Sequence, residues 1–243
     1  MKSTERHHLK DNELAHLAAG ARDLVQERRG PILGVVAAVL LIIVAVGGYV
    51  AWRNRVESKA HTLLAAASAI EAARVGPPAA FGTQPAQGLS FLSEREKHQA
   101  LLTKFKEVAD EFPTSDSGIY ARYRQAATYM ALGLPKNAAE TYQQVVSQGG
   151  DSLYAQMAKL GLAEAQAQNG DYEGAISTFR DLSQRKDGPL PIDGLLLRLG
   201  RAQADAGKVS DAQQTLNRLV QEFPDSSFTA DARKELDQLK KAS

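Results

Sequence analysis

A 37-residue register runs through the C-terminal part of this 243-residue chain, and it constrains the fold more than any other feature. It aligns Gly133, Gly170 and Gly207, and likewise Ala138, Ala175 and Ala212. Phe105, Tyr142, Phe179 and Leu216 form a third column; Val108, Val145, Leu182 and Leu219 form a fourth. The phrase EFPTS, Glu111 to Ser115, returns as EFPDS, Glu222 to Ser226, three periods later. At the boundaries between them stand QGGDS and RKDGP, which are also turn-like. Self-similarity at such a period marks stacked supersecondary units, none of which can bury its apolar face alone.

Each unit reads as a helical hairpin. The glycine ends a first helix. A second helix then carries Ala, an aromatic or Leu, and a β-branched residue or Leu at i, i+4 and i+7, which places the three on one face. The Pro of each EFP phrase cannot continue a helix, and the Ser or Asp after it offers a cap for the next one. The expected fold is therefore an all-α helical-hairpin solenoid over residues 91–243, sealed by a C-terminal capping helix with a polar outer face.

These units resemble the tetratricopeptide repeat family. The stretch LGLAEAQAQNGDYEGAISTF, Leu160 to Phe179, carries the small-residue first helix, Gly turn, Ala and aromatic of that pattern. LGRAQADAGKVSDAQQTLNRLVQEFP, Leu199 to Pro224, keeps the small residues and closing Pro but has Leu216 for the aromatic. The period is 37 rather than 34. The resemblance implies a concave surface lined by first helices that binds other proteins. Carried onto this sequence, its inward positions are Tyr120, Tyr123 and Met130, then Met157, Leu160 and Glu164, then Leu197, Arg201 and Asp205. Apolar residues at this spacing also suit a core, so both readings stand for these nine. The basic and amide residues with which some relatives clamp a C-terminal carboxylate are replaced here by Tyr123 and Ala127.

Ahead of the array lies a stretch of another kind. Ile32 to Trp52 contains no charge, and a helix of that length, roughly 31 Å, matches the hydrocarbon core of a bilayer. Tyr49 and Trp52 close it as interfacial aromatics do. A polar tail precedes the stretch, which is too long for the apolar part of a cleaved signal. The expected organisation is a tail with an amphipathic helix (1–30), a transmembrane helix (31–53), a membrane-proximal helix (54–74), a flexible linker (75–90) and the repeats (91–243). The 54–74 helix is also a candidate first helix for the leading, partial repeat. Basic residues near the span tie, with Arg22, Arg28 and Arg29 before it and Arg53, Arg55 and Lys59 after it. Lys2, Arg6 and Lys10 tilt the tail towards the cytoplasm. The layout resembles the single-span ancillary subunit of the bacterial Sec translocon, which implies an inner-membrane protein with periplasmic repeats and Sec subunits or periplasmic chaperones as partners. The boundary phrases also resemble envelope proteins that work with the Tol-Pal system and outer-membrane assembly, which gives the alternative role of an envelope-assembly coordinator.

Composition excludes several chemistries. With no Cys there is no thiolate nucleophile, zinc thiolate site or disulfide. His61 and His98 stand alone in helices, and no phosphate-loop, zinc-protease or serine-hydrolase signature occurs. We expect no cofactor, no metal, no small-molecule substrate and no enzymatic role, a membrane-tethered enzyme being the remote alternative. From Arg53 onward, Lys plus Arg and Asp plus Glu each number 23. A domain without net charge has no field to draw nucleic acid. What remains is recognition of other proteins.

Overall fold

The computed structural model describes residues 29–76, 88–150, 152–185 and 188–241. The chain divides into two units, Met1–Arg55 and Val56–Ser243. Helix α1, Arg29–Glu71, contributes residues to both. Between Trp52 and Glu71 the sequence holds neither Gly nor Pro, so nothing breaks the helix at residue 53, where the span was expected to end. The helix stops at Glu71, short of the expected Arg74. The expected amphipathic helix of the tail lies outside the described residues, except for its last two positions.

Within the first unit, α1 is long and apolar enough to cross a membrane. Its large apolar side chains from Leu33 to Trp52 are each 48% exposed or more. No protein surface covers them among the described residues of this unit.

Among the described residues of the second unit, the regular structure is helical apart from one pair of two-residue strands. From Val56 on, α1 packs against α2 (Glu94–Glu111), joining Ala60, Ala67 and Ile70 to Leu101, Phe105 and Val108. The segment from Val56 to Glu71 thus supplies the first helix of the leading hairpin. Strand β1 (Arg74–Val75) pairs in parallel with β2 (Ser90–Phe91), Arg74 opposite Ser90. Two residues are too few to show a strand's alternation, so no sequence pattern announces the pair. It ties together the ends of the expected linker, and Lys97 Nζ adds a 2.9 Å hydrogen bond to the Ala73 carbonyl. Residues 77–87, the middle of that linker, lie outside the described residues.

Three hairpins follow: α3 (Asp116–Ala131) with α4 (Pro135–Gln148), α5 (Leu153–Gln168) with α6 (Tyr172–Gln184), and α7 (Ile192–Asp205) with α8 (Val209–Glu222). The second helices begin at Pro135, Tyr172 and Val209, one register apart. Their turns pass through Gly133, Gly170 and Gly207 at φ of 72°, 84° and 74°. That left-handed backbone explains why the column is glycine. Helix α9 (Thr229–Lys241) caps the array, burying Ala232 and Leu236 against Leu216 and Leu219. Arg233, Lys234, Asp237 and Lys240 of α9 face water.

The repeated EFP phrase encodes one turn. Phe112 N–H donates to Val108 O and Phe223 N–H to Leu219 O, closing the preceding helix in each case. Ser115 N–H and Ser226 N–H then donate to the carbonyls of Phe112 and Phe223. Ser115 Oγ accepts from Gly118 N–H at 2.9 Å, capping α3. Ser226 Oγ instead accepts from Phe228 N–H and donates to Asp193 Oδ2 at 2.6 Å, linking the turn before the cap helix to α7.

Candidate functional site

The first helices α3, α5 and α7 share a face, and its two halves differ. The N-terminal half is aromatic. Tyr120 and Tyr123 of α3 meet Tyr154 of α5 with ring centroids 5.1 and 6.0 Å apart, and Tyr123 reaches Tyr142 of α4 at 5.8 Å. All the rings are tilted, the arrangement aromatic quadrupoles favour. Met157 and Leu160 follow Tyr154 at three-residue steps along α5, so they continue the same stripe. Tyr120, Tyr123, Tyr154, Met157 and Leu160 are all half-buried. Their buried parts brace the helices, and their remaining surface is open.

A glycine sets the spacing beneath this patch. A Cβ at Gly161 would lie 2.4 Å from Tyr142 Cζ, so only glycine admits the ring between α4 and α5. Burial pushes the Tyr142 hydroxyl above the ordinary tyrosine range, and does the same to Tyr123. Both remain neutral phenols at physiological pH.

Arg124 belongs to the same patch. Its Cζ lies 5.1 Å from the Phe105 ring centroid and 5.8 Å from that of Tyr120. Nη1 donates to Tyr120 Oη at 2.9 Å, and Nη2 pairs with Glu71. Burial opposes its charge, but the Tyr120 hydrogen bond and the Glu71 carboxylate outweigh it and hold the guanidinium above its ordinary range. Arg124 fastens α1, α2 and α3 together. Sequence reasoning missed it, as it missed Tyr154. The signal for Tyr154 was its place three residues before Met157 on one helix.

The C-terminal half is charged. Glu164, Arg201 and Asp205 line a groove of about 480 Å³ with Arg198, Phe228 and Asp231. Arg198 Nε pairs with Glu164 Oε1 at 2.7 Å, and Arg201 Nε with Glu235 Oε1 at 2.6 Å. These pairs join successive first helices, but their members are mostly partly exposed, so each contributes little stability, about 1 kcal/mol or less. Leu197 corrects the expected surface. It is 2% exposed and packs with Leu196, Leu216, Leu219, Ala232 and Leu236. The cap helix closes over the inward position of the last hairpin, so Leu197 is core. Met130 and Tyr123 also lean on the core around Tyr142 and Val145, and Leu160 on that around Phe179. Of the nine expected residues, Tyr120, Tyr123, Met157 and Leu160 lie in the aromatic patch, Glu164, Arg201 and Asp205 line the charged groove, Met130 leans on the core and Leu197 belongs to it.

The hairpins, the glycine turns and the small residues between paired helices find their counterpart among known families. A family model described as a tetratricopeptide repeat-like domain matches residues 32–188, more than half of the chain. The chain belongs to this family. A second model, for the tetratricopeptide repeat itself, matches residues 195–226. No curated protein matches the sequence. Among solved structures, this tetratricopeptide repeat protein is similar to a kinesin-light-chain-type protein of Podosopora anserina with nearly identical TPR-like repeats. One crystal structure, of a single-substitution form, gives a TM-score of 0.54 at 19% identity, covering 60% of this chain and 78% of that one. Another gives 0.53 at 18%, covering 60% and 79%. At such identities the likeness shows the fold alone. Repeats of this family make the chain a protein-interaction scaffold.

Proposed function

We propose that the chain is a membrane-anchored scaffold whose first-helix face captures a segment of a partner protein. The observation that carries this reading is the half-open patch of Tyr120, Tyr123, Tyr154, Met157 and Leu160. Aromatic and Met side chains presenting apolar surface from a rigid support are the usual anchors of protein recognition. The exposed aliphatic surface of α1 supports an anchor in the bilayer through Ile32 to Trp52. The basic tail supports a cytoplasmic N-terminus and repeats in the periplasm of a bacterial inner-membrane protein. In that setting the scaffold links a Sec-type translocon to periplasmic chaperones that receive secreted proteins.

Protease protection tests the placement. Protease added to spheroplasts should digest the repeats and leave an epitope on residues 1–28 intact. Digestion of the repeats only after lysis would put them in the cytoplasm and remove periplasmic chaperones as partners.

A further inference from the structure

The register lets one hairpin serve as a reference for another on the opposite, second-helix face. Between α2 and α4 the groove over α3 is occupied by the molecule's own Arg122. Its Nη1 donates to Gln144 Oε1 at 2.6 Å, and its Nη2 donates to the Ala109 carbonyl at 2.7 Å and to Asp110 Oδ1 at 3.3 Å. Tyr129, farther along α3, packs against the adjoining core. Two periods later the equivalent groove lies between α6 and α8 over α7. There Leu196 stands for Arg122, Gln203 for Tyr129, Gln184 for Asp110 and Arg218 for Gln144. A Leu lacks the reach and donors of Arg, and a Gln is smaller than Tyr. What remains is a recess of about 370 Å³, lined by Arg180, Leu199, Gln203, Asp211, Thr215 and Arg218 among others.

Two features give the recess a chemistry. Gln203 is 3% exposed, yet its Oε1 has no hydrogen-bond partner. Buried amides in native proteins are normally satisfied, and this oxygen is an acceptor, so it calls for an N–H or O–H donor from whatever fills the recess. The second feature is charge. The first groove surrounds a cation with acceptors; in the later one Gln144 gives way to Arg218 and Asp110 to the neutral Gln184, while Arg180 keeps the positive charge of Lys106. Arg180 has no ion pair among the described residues. Among the described residues Arg218 pairs only with Glu222 of its own helix, at 2.9 Å, with both side chains more than 40% exposed. Such a pair is weak and yields to a better-placed anion. Asp211 is the single carboxylate on the wall, against two guanidinium groups.

We infer that this recess is a second binding site, for an acidic side chain of a partner protein. The carboxylate sits between Arg180 and Arg218 and accepts from the Thr215 hydroxyl, while a backbone N–H of the same partner segment donates to Gln203 Oε1. The inference does not depend on the reading of the first-helix face, which lies on the other side of the hairpins.

The test uses the full chain in mild detergent and a fluorescein-labelled tetraglutamate peptide, with tetralysine as control, followed by anisotropy at low salt. Tetraglutamate should bind and tetralysine should not. Arg180→Ala with Arg218→Ala should weaken binding at least tenfold. Arg233→Ala with Lys234→Ala, which removes the same charge from the outer face of α9, should leave it unchanged. Leu196→Arg with Gln203→Tyr copies the first hairpin and should abolish binding while helicity is retained. If that variant loses helicity, the Arg180 and Arg218 pair, which is exposed, decides. Absence of tetraglutamate binding overturns the proposal, and so does equal weakening by the α9 control.

Discussion

Ala175→Glu should unfold the second hairpin and lower the melting temperature of the full chain in detergent by roughly 10 °C. Ala175 is fully buried, packed among Ala163, Ile176, Phe179, Leu195 and Leu199 where α6 meets the first helices on either side. A carboxylate there finds no cation and no cavity. Burying it unpaired, and forcing apart helices that touch through a methyl group, costs on the order of 4 kcal/mol. Ala175→Ser, close to it in volume, should cost about 1 kcal/mol. Circular dichroism melts separate the two outcomes. A Glu variant that melts like the parent would mean that α6 turns another face to its neighbours.

Gly118→Ala should destabilise the chain by roughly 3 kcal/mol, although helix propensity alone predicts a gain of about 1 kcal/mol from replacing a helical glycine. The sign is decided by one carbonyl. A Cβ at Gly118 would fall 1.7 Å from Phe112 O and 2.7 Å from its carbon. Those are backbone atoms, and the carbonyl is fixed by Ser115 N–H at 3.2 Å and Ser115 Oγ at 3.1 Å. To make room the whole EFPTS turn must move, and the cap on α3 is lost with it. Gly174→Ala is the comparison: its Cβ would meet the side chains of Asp171 and Gln166, which can swing aside at the cost of the Asp171 cap on Gly174 N–H, about 1 kcal/mol. Chemical denaturation should show a large loss at Gly118 and a small one at Gly174. Equal effects at the two sites would remove the carbonyl as the cause.

The hairpins were legible because their determinants are local and periodic. Gly133, Gly170 and Gly207 are glycine for a backbone angle, and Ala138, Ala175 and Ala212 are alanine for a close contact; both demands recur every unit. The long apolar stretch was legible by length alone. The surface was less so. Leu197 occupies the same register position as Leu160, but the last hairpin is covered by α9, and the sequence does not display which neighbour sits above a residue. Arg124 was missed because its partners lie outside its own helix, Glu71 standing 53 residues before it. The β1–β2 pair was missed because two-residue strands carry no pattern. The recess over α7 exists because Leu196 and Gln203 stand at the register positions of Arg122 and Tyr129, a pair of exchanges that no local pattern marks.

Site-specific photo-crosslinking in intact cells tests the central claim most directly. A photoreactive residue at Met157, on the first-helix face, should yield a discrete covalent adduct with another envelope protein. The same residue at Gln143, an exposed position on α4, should yield none. Tyr120→Ala with Tyr154→Ala, if these rings are anchors, should weaken capture by about 2 kcal/mol, roughly thirtyfold, and the Met157 adduct should fall with it while helicity is retained. A folded double variant that gives the Met157 adduct at full yield, or adducts from Gln143 with none from Met157, would contradict the account and move the capture surface off the first helices.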